Sequence, residues 1–139
     1  FGVVGDVAVG LLDSDVPPDL KIYALPEPRE NFSSLKGETA VVTGQNRRIF
    51  FHEIDRVSPT VIGFRHPKLA KHGWGKNLVK GDSGNPSFII SGNELVLIET
   101  HTSGGGGSGP FYGCPIIQEK LSAAITRSVP GYRLRFKSF

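Results

Sequence analysis

The most informative stretch of this chain is Lys80-Gly81-Asp82-Ser83-Gly84-Asn85-Pro86, which leads directly into the apolar segment Ser87-Phe88-Ile89-Ile90. Glycine, aspartate, asparagine and proline favour tight turns, so one interpretation is a plain turn that enters a β-strand. The other is a nucleophile loop, in which Gly81 and Gly84 let the backbone expose the Ser83 hydroxyl and direct N–H groups towards one place. Such N–H groups stabilise the negative oxygen that forms when a serine attacks a carbonyl.

The order Gly-Asp-Ser-Gly-Asn-Pro before an apolar strand resembles the nucleophile loop of chymotrypsin-like serine proteases, whose usual form is Gly-Asp-Ser-Gly-Gly-Pro. The chain departs from that form at Asn85, which follows the serine and so should leave the oxyanion donors intact. The resemblance implies that Ser83 is the catalytic nucleophile and that the N–H groups of Gly81 and Ser83 form the oxyanion hole. It implies a polypeptide substrate, no cofactor and no metal.

The composition indicates one β-rich domain. The chain has 139 residues, of which 38% are hydrophobic, and its 18 glycines and 10 prolines suit an all-β chain with many turns. No apolar run approaches the roughly 20 residues that a membrane-spanning helix needs. Because the net charge is only +3, we predict neither a nucleic-acid nor a membrane partner. The single cysteine, Cys114, excludes a disulfide within the chain and is predicted to be a buried packing thiol.

Short β-rich segments recur at the spacing of a barrel or sandwich. The predicted strands are 38–43, 48–54, 60–65, 87–91 and 95–100. The turn Gly92-Asn93-Glu94 predicts a hairpin between the last two.

Two further elements are predicted near the C-terminus. Isoleucines and a leucine recur at helical spacing after Pro115, and Pro130-Gly131 ends that pattern. The tail 132–137 alternates apolar and basic residues, which predicts a half-buried strand with a cationic outer face. That face is either a solvated edge, which we favour, or a stripe for nucleic acid.

The resemblance implies an all-β fold, the chymotrypsin-like double β-barrel. Residues 1–15 would then be the last part of the first barrel, and the Pro-rich segment 16–36 the crossover between barrels. Residues 37–139 would form the whole second barrel with its C-terminal helix and terminal strand.

Asp6 lies within the apolar run 3–12, which itself predicts a strand. A carboxylate inside such a run needs a partner. It is either an aspartate that accepts backbone N–H groups at the start of a strand or a catalytic group. The run resembles the family's Asp-Ile-Ala-Leu-Leu segment, which implies that Asp6 orients the catalytic histidine.

The catalytic histidine is not evident in this chain. The family carries it upstream of the aspartate, whereas the four histidines here all lie downstream of Asp6: His52, His66, His72 and His101. The chain begins with Phe1 and looks like part of a longer protein. We therefore expect the histidine to come from a missing N-terminal segment or a partner chain, and this chain alone to be inactive. The alternative is a non-catalytic, protease-like binding or structural module.

Substrate-binding residues follow from the resemblance alone. Thr100, His101 and Thr102 match the family's pocket wall, and Asn77 its pocket base, where the absence of an aspartate gives no indication of an Arg or Lys preference. His101 would favour an acidic side chain or be a solvated loop histidine. The glycine-rich run 104–109 is either a flexible linker or a loop beside the pocket, and we favour the loop because a strand pattern resumes after it.

Overall fold

The computed structural model describes residues 6–29 and 31–139, and in these ranges it is mainly β-structure. In chain order the elements are β1 Leu25–Pro26, β2 Thr39–Gly44, β3 Arg48–Val57, β4 Val61–Phe64, β5 Pro86–Ser91, β6 Glu94–Thr100, β7 Ser108–Pro110, α1 Pro115–Ser128 and β8 Phe136–Lys137. Two short 3-10 helices, Ser33–Leu35 and Pro67–Leu69, lie in the connections. Strands β2 to β7 form one antiparallel sheet in the order β6-β5-β2-β3-β4-β7.

Burial alternates along the central strands, although their sequences do not alternate strictly between apolar and polar residues. In β2, Ala40 and Val42 are fully buried while their neighbours are at least partly exposed. In β3 the inward positions include Phe50 and Ile54. This period of two is the pattern that a strand with one buried face requires.

The sheet curls until its two edges approach each other. The Thr102 N–H donates to the Ser108 carbonyl at 2.9 Å, and the Tyr112 N–H donates to the Ile98 carbonyl at 2.9 Å. The main core fills the inside of the curl, and its members include Ala40, Val42, Phe50, Ile54, Ile62, Phe64, Ile98 and Phe111. The all-β prediction is therefore confirmed, and the curled half-barrel is consistent with the chymotrypsin-like fold that the resemblance implied.

Helix α1 covers the other side of β6 and closes a second apolar cluster. Its buried members are Leu25, Tyr112, Cys114 and Ile117. Cys114 is buried there with a free thiol, as predicted. The buried Gln118 side chain donates to the carbonyl oxygens of Pro26 and Tyr112, both at 2.7 Å, so β1 is fixed to the helix.

The predicted strands and helix lie within a few residues of the observed ones, but two predictions were wrong. Residues 6–12 form no strand, and the remainder of the predicted run, 3–5, falls outside the described residues. Val9, Leu11 and Leu12 are exposed there. A strand needs a neighbour for its backbone groups, and none of the described strands pairs with this run.

The C-terminal tail is the second correction. Only Phe136–Lys137 is a strand, because its parallel partner β1 is equally short. Two of the basic side chains pair within the chain: Arg135 and Lys137 form ion pairs with Glu94 at 3.1 and 3.3 Å. That arrangement matches the favoured interpretation of a solvated edge. Within the described residues, no helix has the length and apolar character that crossing a membrane requires.

Candidate active site

The predicted nucleophile loop is the last part of the long β4–β5 connection. In it Ser83 is exposed and Asp82 is buried. Gly81 has φ +100° and Gly84 has φ +83°, in the left-handed region that favours glycine. These two glycines let the chain reverse direction on either side of the buried aspartate. The serine is left at the surface of the reversal.

The Asp82 carboxylate fixes the loop to the β2–β3 turn. Its oxygens accept from the N–H of Gln45 at 2.9 Å and from the N–H of Val79 at 2.8 Å. Arg48 Nη2 lies 3.0 Å from both carboxylate oxygens. Burial alone would raise the pKa of Asp82, but these donors and the Arg48 charge hold that pKa below its ordinary value.

Hydrogen bonds to two carbonyls orient two peptides of the loop, Lys80–Gly81 and Asp82–Ser83. Gln45 Nε2 donates to the Lys80 carbonyl at 3.0 Å. The Asp82 carbonyl accepts from Asn85 twice, from its N–H at 3.1 Å and its Nδ2 at 3.0 Å. A trans peptide has its C=O and N–H on opposite sides, and none of the described peptides is cis. The N–H groups of Gly81 and Ser83 therefore point away from Gln45 and Asn85.

Those two N–H groups are available to a ligand. Within residues 6–29 and 31–139, neither the Gly81 N–H nor the Ser83 N–H donates to a protein acceptor. By contrast, the neighbouring Asp82 N–H donates to the Val79 carbonyl at 3.0 Å. Free backbone donors beside an exposed hydroxyl are the groups that bind a developing oxyanion.

The end of β6 holds the other side of the loop. The Gly84 N–H donates to the His101 carbonyl at 2.9 Å, and the His101 N–H donates to the Asn85 carbonyl at 3.0 Å. Thr43 Oγ1 donates to the Pro86 carbonyl at 2.7 Å, which adds a link from β2. The exit of the loop is thus fixed to two strands.

The His101 side chain is turned into the protein and is neither solvated nor open to a substrate in this conformation. Its Nδ1 lies 2.6 Å from Glu99 Oε1, and its Nε2 lies 2.9 Å from the Thr43 carbonyl oxygen. Burial works to lower the pKa of His101, but the Glu99 carboxylate more than offsets it, so the pKa is raised.

The other histidines have structural contacts of their own. The buried His52 has Nδ1 at 2.7 Å from the Gly106 carbonyl, and its Nε2 accepts the Lys76 N–H at 3.2 Å, so the neutral ring carries its proton on Nδ1. Burial lowers the pKa of His52. His66 and His72 are half-buried in the basic loop, the part of the β4–β5 connection that also carries Lys68, Lys71 and Lys76. In the described part of the chain, no histidine ring is hydrogen-bonded to Ser83.

Asp6 is exposed and lies near the same end of β6. Its neighbour Val7 packs on the second apolar cluster. Burial is the main cause of the raised pKa of Tyr112, and the charges of Glu99 and Asp6 add to it. The Tyr112 hydroxyl is 2.7 Å from Thr100 Oγ1, and Thr100 pairs with Pro86, three residues after Ser83. The contacts do not join Asp6 to Ser83 directly.

The glycine-rich run is a packed loop and not a flexible linker. The Leu78 N–H donates to the Gly105 carbonyl at 2.9 Å, and the Gly107 N–H donates to the Gly104 carbonyl at 3.1 Å. A Cβ on Gly106 would lie 2.5 Å from the Arg65 carbonyl oxygen. The loop therefore lies against Leu78, next to the exposed Asn77.

Sequence reasoning missed four residues of this region: Gln45, Arg48, Leu78 and Glu99. Arg48 had a detectable signal, because a buried aspartate beside an exposed serine requires a cationic partner. Glu99 had one as well, since a carboxylate at an inward position of an apolar strand needs a partner. Gln45 acts through two hydrogen bonds, from its N–H to the Asp82 carboxylate and from its side chain to the Lys80 carbonyl, and no pattern in the sequence indicates these contacts.

Comparisons with known proteins show similarity in backbone structure only. No protein-family model matches the chain, and no curated protein matches its sequence. Its structure is similar to two crystal structures of the murine norovirus NS6 protease, both inactive cysteine-to-alanine variants with C-terminal extensions into NS7. The identities are 16% and 17%, and the TM-score is 0.45 for each. The match covers 71% of this chain, but only 64% and 60% of the two protease chains.

Proposed function

We propose that this chain is part of a chymotrypsin-like serine endopeptidase in which Ser83 attacks the carbonyl carbon of a peptide bond. The observation that carries the proposal is the exposed Ser83 hydroxyl beside two unused N–H groups, those of Gly81 and Ser83. Gln45 and Asn85 fix the peptides that present these groups.

The proposed chemistry is acyl transfer followed by hydrolysis. The Ser83 oxygen forms a bond to the carbonyl carbon while a histidine takes its proton, and the oxyanion is bound by the N–H groups of Gly81 and Ser83. Cleavage of the C–N bond releases an amine that receives the proton, and water then hydrolyses the acyl-enzyme by the same route. We propose that the histidine comes from a segment or chain outside these 139 residues.

Asp6 is the proposed partner of that histidine. Its exposed carboxylate, near Tyr112 at the Ser83 end of β6, is free to meet an imidazole that approaches from outside the described residues. A buried carboxylate with protein partners, such as Asp82, is not available for that role.

The proposed substrate-contacting residues divide into two groups. Asn77 and Thr102 have exposed side chains and are proposed to meet the substrate directly. Thr100 and His101 are proposed to shape the pocket wall through their backbone, because Thr100 Oγ1 is bonded to Tyr112 and the His101 ring is bonded inward. The ring is therefore not proposed as a receptor for an acidic side chain.

A second candidate is a non-catalytic, protease-like binding module. It is favoured by one observation, that no histidine ring in the described part of the chain is hydrogen-bonded to Ser83.

Labelling of the full-length protein with a fluorophosphonate probe separates the two candidates. We expect covalent labelling that falls by at least about 10³-fold in Ser83→Ala, because a triad loses almost all of its activity with its nucleophile. Ser128→Ala, which changes an exposed serine at the end of α1, is the matched control and should label normally. Equal labelling of the native protein and Ser83→Ala would contradict the endopeptidase.

A further inference from the structure

We infer that Glu99 and His101 are positioning residues, which share one proton in the interior and thereby hold the backbone that carries the nucleophile loop. The structural part of the inference stands on its own geometry. Its consequence for the reaction rests on the proposed function.

The first step is the count of protons on the His101 ring. Nε2 faces the Thr43 carbonyl oxygen at 2.9 Å, and because a carbonyl only accepts, Nε2 must carry a hydrogen. Nδ1 faces Glu99 Oε1 at 2.6 Å. With no hydrogen between them, a nitrogen lone pair and a carboxylate oxygen would repel at that distance. A second proton is therefore required on Nδ1.

The second step is the cost of losing that proton. The side chains of Glu99 and His101 are 0% and 1% exposed. With the proton the pair is neutral overall, whereas without it a net negative charge is left in the interior. Among the described residues, both Glu99 oxygens and His101 Nδ1 are buried without a well-aligned hydrogen bond, so the 2.6 Å contact is a close ion pair, and Oε2 lies against Gly109. The surrounding protein thus offers no substitute donor.

The third step is the connection to Ser83. The backbone of His101 bonds to Gly84 and Asn85, immediately after the serine. The Thr43 carbonyl that accepts from His101 belongs to the residue whose hydroxyl holds the Pro86 carbonyl. The shared proton therefore holds the His101 ring on Glu99, and the Nε2–H of the same ring reaches β2 beneath the exit of the loop.

Other titratable and charged groups face this pair. Asp82 of the loop, itself paired with Arg48 of β3, adds to the raised pKa of His101. His52 of β3 and His101 interact as like charges when both are protonated, and Tyr112, after β7, faces the charge of Glu99. Of these, only His52 opposes a proton on His101, and its own lowered pKa keeps it neutral.

The sign of the pH dependence follows from the raised pKa of His101. Its contribution to stability is complete below the ordinary value of 6.5 and is lost as the pH rises through the folded value. His52 acts in the opposite sense, because its lowered pKa makes the folded state less stable as the pH falls below 6.5. A variant that removes only the Glu99 charge separates the two contributions.

Glu99→Gln is that variant. A glutamine amide can donate to Nδ1 of a neutral ring, so the contact needs no shared proton. In nitrogen-15 NMR spectra of the wild-type chain near pH 6 we expect His101 to show two ring nitrogens with the chemical shifts of N–H groups or of a shared proton, and in Glu99→Gln only Nε2 to do so. The loss of thermal stability between pH 6 and 9, on the order of 5 °C in Tm, should be absent from Glu99→Gln. Glu94→Gln, which changes an exposed ion pair, is the control.

In the full-length protein, the rate of fluorophosphonate labelling of Ser83 should fall as the pH rises into the alkaline range. This fall should begin at a lower pH in the wild type than in Glu99→Gln. A wild-type His101 with a bare, unprotonated Nδ1 would overturn the inference, even if Glu99→Gln fails to fold. So would an identical pH dependence of Tm in the two proteins. Neither measurement needs catalysis, so a failure of the proposed function leaves them intact: no labelling at all, with two protonated ring nitrogens, would reject the endopeptidase and keep the shared proton.

Discussion

Position 81 sets two requirements that only glycine meets. Its φ of +100° lies in the left-handed region, and a Cβ there would lie 2.8 Å from Gln45 Oε1. The same Gln45 side chain holds the Lys80 carbonyl, so a shift that relieves the contact also turns the peptide that carries the Gly81 N–H. Geometry at this one residue therefore decides whether the proposed oxyanion donor points outward.

We predict that Gly81→Ala lowers kcat/KM of the full-length protein about 10²–10³-fold, the usual effect of losing one oxyanion-hole donor. The rate of fluorophosphonate labelling measures the effect, and circular dichroism confirms that the variant is folded. Gly73→Ala is the matched control, since a Cβ at Gly73 meets no atom within 4 Å and its φ is not in the left-handed region. An unchanged rate in Gly81→Ala would remove its N–H from the mechanism.

At the scale of elements, the glycine-rich loop packs against the end of β4 and the start of the basic loop. A Cβ on Gly106 would lie 2.5 Å from the Arg65 carbonyl oxygen and 2.6 Å from that of Phe64. Both obstacles are backbone atoms, so they cannot rotate away. The Gly106 carbonyl also holds the His52 ring.

Gly106→Ala should therefore destabilise the fold by about 1–3 kcal/mol, the usual cost of forcing a methyl group into a packed site. Urea unfolding measures the change. Gly104→Ala serves as the comparison, because its Cβ would meet only the Leu78 carbonyl oxygen at an ordinary 3.6 Å. Equal stabilities of the two variants would mean that this run behaves as a linker.

At the scale of the whole molecule, the Arg48–Asp82 pair joins the sheet to the loop that follows the long connection. We predict that Arg48→Met lowers the free energy of unfolding at neutral pH by about 1–3 kcal/mol, less than for a fully buried pair because the Arg48 side chain is 35% exposed. Since the pKa of Asp82 is lowered, its contribution is present above 3.8 and is lost as the pH falls through the folded value.

Urea unfolding at pH 7 and in steps down to pH 2 checks this prediction. The difference between the wild type and Arg48→Met should shrink in the acidic range. Arg127→Met, at the exposed C-terminal end of α1, should show no such pattern. A difference that persists unchanged at pH 2 would assign the effect to packing of Arg48 on Phe50, whose ring centroid lies 5.3 Å from the guanidinium carbon, and not to charge.

The sequence was sufficient to predict the strands and the helix that local residue patterns control. Turn-separated β-rich runs predicted β2 to β6, and helical spacing after Pro115 predicted α1. Patterns failed where a partner decides the outcome: residues 6–12 have strand-like composition but no neighbouring strand among the described residues. The Ser83 loop was recognisable because its residues are contiguous, whereas Gln45, Arg48 and Glu99 reach it from distant segments that only the folded sheet brings together.

Because the residues that shape the loop come from distant segments, the order of synthesis matters. The groups that shape the loop come from the β2–β3 turn, from the end of β6 and from the loop itself. A nascent chain that has emerged from the ribosome only as far as residue 90 contains the serine but lacks the His101 backbone that fixes Gly84 and Asn85. The observed geometry of the loop therefore requires residues up to His101, and the proposed nucleophile is not fixed in place before they have been made.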